Sequence, residues 1–104
     1  MLTGINHLAI VVENVDAALA FWQDALGLPL QKREQNEREE VEIAFLPLGA
    51  SEIELIAPTN ESSGVAKYLA KRGAGMHHVC LEVDDIAGMM AQLREKGVEL
   101  INDA

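Results

Sequence analysis

Two histidines, His7 and His78, stand at the same place in two similar stretches of sequence, 71 positions apart. HLAIVVENV at residues 7–15 resembles HVCLEVDDI at residues 78–86, and the likeness continues through Leu19/Met90 and Trp22/Leu93. A lone strand histidine is more often a hydrogen-bonded structural residue. Two at equivalent positions of a repeat point instead to a pair of metal ligands. Imidazole suits Zn, Co, Ni, Mn or Fe, and a carboxylate would complete a harder, partly open site. Glu54 offers one: it lies between Ile53 and Leu55, where an unpaired charge is costly and wants a partner or a cation. Glu42, between Val41 and Ile43, is a candidate general base. The competing readings are a solvent-facing edge position for Glu54 and a wet strand start for Glu42, alongside Glu39 and Glu40.

Strand alternation selects among the histidines. His7 shares a face with Ala9 and Val11, and His78 with Cys80 and Glu82. His77 falls on the other side with Val79, which makes it a bystander. The two carboxylates share a face only if the connection around Leu48 to Ser51 is longer than a two-residue turn at Gly49-Ala50, and a longer loop is the expectation. Cys80 reads as a small core side chain, and Lys67, Lys71 and Arg72 as surface charge.

The elements that must position these side chains repeat as well. Each copy reads as strand, polar cap, amphipathic helix, glycine stop and strand. Asn14 and Asp84 or Asp85 are N-caps. Val15, Leu19, Trp22 and Leu26 form the apolar stripe of the first helix; Ile86, Met89, Met90 and Leu93 form that of the second. Gly27 and Gly97 sit where a left-handed C-terminal cap is wanted. Residues 28–35, 40–47 and 52–57 read as three further strands. One module is therefore βαβββ, over about residues 4–57. A linker helix at about 64–72 follows, and then a partial second module at about 76–104, truncated after its second strand with residues 98–101 as an edge. The fold class is α+β, one domain of paired modules over residues 1–104.

Composition bounds the function. A net charge of −9 argues against nucleic acid or an anionic membrane as partner. No apolar run approaches the roughly 20 residues of a membrane span, a signal peptide is not evident, and one cysteine excludes an internal disulfide. A cytoplasmic location is the expectation.

The stretches INHLAIVVENVDAALAFWQDALGL, VEIAFLPLG, EIELIAPTNESSGVAKYLAKRGAGMHHVCLEVDDI and LREKGVELIND resemble the vicinal oxygen chelate superfamily, and within it the methylmalonyl-CoA epimerases. The segment from Pro58 to Ile86 is the specific part. The resemblance implies paired modules and a divalent metal ion (Co, Zn, Mn or Ni) on His7, Glu54 and His78. It further implies Glu42 as catalytic base and a fourth ligand, a Glu on a final strand that this sequence does not reach. The implied chemistry is proton abstraction at C2 of an acyl-CoA through a metal-stabilised enolate, in a homodimer. A lactoylglutathione lyase of the glyoxalase I type and a non-catalytic binding protein of the same fold are the alternatives.

Overall fold

The structure, a computed structural model, describes residues 1–101. Among these residues five strands form one sheet: β1 (Leu2–Val11), β2 (Lys32–Asn36), β3 (Val41–Leu48), β4 (Ser51–Pro58) and β5 (Gly75–Val83), in the order β2-β3-β4-β1-β5. Among the described residues only the β1–β4 pair is parallel. It needs the crossover that the intervening helix and strands supply.

The helices begin and end where the sequence places caps. In α1 (Val15–Leu19) the Asn14 side chain accepts the Ala17 N–H, and the last turns widen into a π-helical stretch, Ala20–Ala25, closed by Gly27 at φ 82°. In α2 (Gly64–Arg72) Ser63 accepts the Ala66 N–H and Gly73 ends the helix. In α3 (Ile86–Glu95) Asp85 accepts the Gly88 N–H. Among the described residues no helix is long and apolar enough to cross a membrane.

The two faces of the sheet are covered unequally. On one, Ala44, Leu46, Ile53, Leu55 and Ala57 bury against Val15 and Leu19 of α1, with Trp22 packed at the margin. On the other, Ala9, Val41 and Ile56 form a smaller cluster with Val65 of α2. The alternation Glu42/Ala44/Leu46 and Ile53/Leu55/Ala57 belongs to the α1 face; Ile43/Phe45 and Glu54/Ile56 belong to the α2 face.

Several expectations are corrected here. β2 starts only at Lys32, because Pro29 cannot donate to a ladder and the chain leaves the π-helical turn irregularly. Leu26 is exposed rather than buried: the wider π turn rotates it out of the 3.6-residue stripe. The stripe of α3 is at most half-buried, and Ile86 is exposed, as are Val79 and Leu81 of β5. Residues 98–101 form no strand. The expected end of the partial second module, residues 102–104, lies outside the described residues.

Candidate functional site

β1 lies at the middle of the site, with β4 on one side and β5 on the other. Ala9 pairs with Glu54 in the parallel ladder and with His78 in the antiparallel one, and His7 pairs with Cys80. Directly paired residues point to the same face. His7, Glu54 and His78 therefore share the α2 face, as their sequence positions suggested for the two histidines.

The three side chains meet in a chain rather than at a point. His7 Nε2 lies 3.2 Å from His78 Nε2, and the rings stand edge to face at 79°. The other nitrogen of His7, Nδ1, lies 3.2 Å from Glu54 Oε2 and 2.7 Å from Asn6 Oδ1. Burial raises the pKa of Glu54, opposed by His7 and aided by Glu52. Burial first, then His77 and His7, lowers that of His78. Glu54, costly as a bare anion, and His78, whose charged form burial disfavours, are donors that a cation would satisfy.

Two imidazole nitrogens each about 2.1 Å from a common ion and separated as these are would subtend about 100°, between octahedral and tetrahedral values. The histidine pair thus fits a divalent ion. Glu54 instead bonds the far nitrogen of His7. Among the described residues no group of three or more His, Cys, Asp or Glu side chains is gathered for a metal ion.

Glu42 does not reach this site. β3 and β4 are joined by a tight two-residue turn: Leu48 pairs with Ser51, and Gly49 takes φ 60°. In that register Glu54 opposes Phe45, and Glu42 opposes Ala57 on the α1 face. There Arg33 grips both Glu42 oxygens at 2.9 and 3.2 Å and reaches Asp16 of α1 at 2.7 Å. Hydrogen bonds to Glu42, then to Asp16, raise the pKa of Arg33 and keep it cationic. Glu42 is a clasp between β2, β3 and α1, on the far side of the sheet from the histidines.

His77 corrects the sequence reading in the opposite direction. Ala9 pairs with His78 but Ile10 pairs with Met76, so His77 is an extra residue on β5, and this bulge breaks the alternation. Its ring lies 4.9 Å from that of Tyr68 and 5.1 Å from that of His78. Together with His78 it lines a cavity of about 460 Å³ whose other walls include Val41, Ile43, Ile56, Val65 and Tyr68. Tyr68 is fixed by donating its hydroxyl to the Met76 carbonyl at 3.0 Å. The cavity is of ordinary ligand-site size and mostly apolar, and His78 joins it to the other two candidate ligands. Lys67, Lys71 and Arg72 on α2 are not among its lining residues.

A family model described as "Glyoxalase/Bleomycin resistance protein/Dioxygenase superfamily" matches residues 6–104. The chain is 33% identical over 103 residues to "Methylmalonyl-CoA epimerase, mitochondrial" of Mus musculus, which covers 98% of this chain and 58% of that protein. It is 34% identical over 102 residues to "Ethylmalonyl-CoA/methylmalonyl-CoA epimerase" of Cereibacter sphaeroides, covering 97% of this chain and 76% of that one. The crystal structure of methylmalonyl-CoA epimerase from Mycobacterium tuberculosis matches with a TM-score of 0.85 at 36% identity, over 99% of this chain and 70% of that chain. The chain thus spans less than two thirds of the length of the mammalian relative.

Proposed function

Because the chain belongs to the glyoxalase/bleomycin resistance protein/dioxygenase superfamily, we propose that it is a metal-dependent epimerase of methylmalonyl-CoA or a close acyl-CoA. The observation that carries this reading is the placement of His7, Glu54 and His78 on one sheet face, opening through His78 onto an apolar cavity. It is supported by relatives named for that reaction over nearly the whole chain.

His7, Glu54 and His78 would hold the divalent ion. Bound there, it would supply positive charge to substrate oxygens as the neighbouring C–H bond loses its proton. Val41, Ile43, Ile56 and Val65 present an apolar wall for the acyl end and keep water from it. The proton acceptor must come from groups that reach the cavity. β3 offers only Val41 and Ile43 to it, whereas His77 stands on its wall and Glu39 at its margin. A homodimer is part of the proposal: β5 is a sheet edge with exposed Val79 and Leu81, which a second copy would cover. Sedimentation equilibrium reads that state directly.

The test follows one stereoisomer of methylmalonyl-CoA in deuterated water with metal-loaded protein. Equilibration of the isomers with deuterium entering C2, abolished by a chelator, is the expected result. Turnover of a glutathione hemithioacetal with no exchange at C2 would replace this reading with the lyase one.

Glu42→Gln separates the clasp from the chemistry. The substitution should leave metal content at the wild-type level and C2 exchange within a few-fold of it. Stability should fall by about 1 kcal/mol or less, as for other partly exposed ion pairs. Loss of exchange by the roughly 10²–10⁴-fold typical of a missing general base, at unchanged metal content, would restore Glu42 to catalysis.

A further inference from the structure

Two irregularities in the β1–β5 ladder flank the histidines in the same way. Ile5 pairs with Leu81 and His7 with Cys80, so Asn6 is an extra residue on β1, just as His77 is on β5. Each bulge residue immediately precedes one of the paired histidines, at equivalent positions of the repeat. Bulges re-aim side chains, and here each re-aimed side chain turns onto Nδ1 of the histidine that follows. Asn6 Oδ1 lies 2.7 Å from His7 Nδ1, and His77 Nδ1 lies 2.8 Å from His78 Nδ1.

The Asn6 amide is oriented from its other end. Its Nδ2 donates to Glu82 Oε1 at 2.9 Å, and a carboxylate can only accept, so the amide oxygen is the atom facing His7. His7 Nδ1 then has two oxygens beside it, from Asn6 and Glu54. A ring nitrogen bonding to acceptors carries the hydrogen, which leaves Nε2 as a lone pair. That lone pair points toward His78 Nε2, 3.2 Å away.

We propose that Asn6 and His77 are positioning residues, one per module, which hold His7 and His78 as Nδ1–H tautomers and so turn both Nε2 lone pairs toward one cation. On the β1 side Glu82 supports Asn6; on the β5 side His77 accepts the hydrogen of His78 Nδ1. Two facing lone pairs repel, and a divalent ion relieves that repulsion. Partners of this kind fix the ring and raise ligand basicity in metal sites generally. The inference rests on reading His7 and His78 as ligands and is independent of the substrate.

The experiment uses protein labelled with ¹⁵N-histidine, metal-free and zinc-loaded, together with zinc titration calorimetry. Metal-free wild type should show His7 protonated at Nδ1, and zinc should bind both histidines through Nε2. Asn6→Leu should mix the His7 tautomers and weaken zinc by about 10–100-fold, and His77→Leu should do the same at His78. The double variant Asn6→Asp/Glu82→Gln keeps an oxygen on His7 Nδ1 and reverses the direction of the supporting hydrogen bond, so it should recover tautomer and affinity together. Unchanged tautomers and affinity in Asn6→Leu overturn the positioning role while leaving the ligand reading intact. Failure of wild type to bind zinc, with His7 nonetheless an Nδ1–H tautomer, overturns the ligand reading instead. His7 protonated at Nε2 in wild type overturns the inference outright.

Discussion

His7→Ala is expected to abolish tight metal binding and to reduce C2 exchange by on the order of 10³-fold, about 4 kcal/mol of transition-state stabilisation. His7 is the middle member of the site. One of its nitrogens meets His78 and the other meets Glu54 and Asn6. Its loss removes one donor and also takes from Glu54 the group that opposes the cost of its charge. The drop in affinity should therefore exceed the roughly 10–100-fold that follows from losing a supporting residue such as Asn6. The fold should survive, because His7 lies outside the buried clusters on both sheet faces. Elemental analysis of dialysed protein, paired with deuterium incorporation, reads both effects. Wild-type metal stoichiometry in His7→Ala would remove this residue from the ligand set.

How far the sequence disclosed this site depends on which physical signal carried each part. The His7–His78 pair was legible because a repeat places equivalent residues equivalently, and the β1–β5 ladder respects that equivalence. A helix at about 64–72 was read from the sequence, and α2 has Ser63 and Gly73 at its ends as caps. The relation of Glu42 to Glu54 was not, because it hangs on the parity of one turn. A two-residue turn at Gly49-Ala50 sends the two carboxylates to opposite faces, and the composition of that turn does not fix its length.

The bulges were illegible for a related reason. Alternation assumes one residue per rung, and one extra residue reverses every assignment beyond it, which moved His77 from bystander to cavity wall. A trace did exist in the sequence: Asn6 and His77 occupy equivalent places, each a polar residue just before a histidine. The α3 stripe shows the reverse case, since periodicity reveals which face of a helix is apolar without revealing what covers it.

Leu55→Ala tests the other half of that architecture, the core that holds the site in place. Leu55 is fully buried and sits at the centre of the sheet, paired with Ile10 of β1 and Ala44 of β3, in one cluster with Val15 and Leu19 of α1. Strands hydrogen-bonded on both sides cannot easily collapse into the space an alanine leaves. The cost should therefore lie in the upper part of the usual range of about 2–5 kcal/mol. For a domain whose total stability is on the order of 5–15 kcal/mol, that is a large share. It should appear as a lower urea midpoint at unchanged slope. Glu54 is the adjacent residue but faces the opposite side of the sheet, so the two neighbours should separate cleanly. Leu55→Ala should lose stability while its folded fraction binds metal as wild type does. Glu54→Ala should lose metal and activity together with little change in the urea midpoint of the metal-free protein. A loss of less than about 1 kcal/mol in Leu55→Ala, or a loss of metal affinity in its folded fraction, would contradict the division of β4 into a core face and a site face.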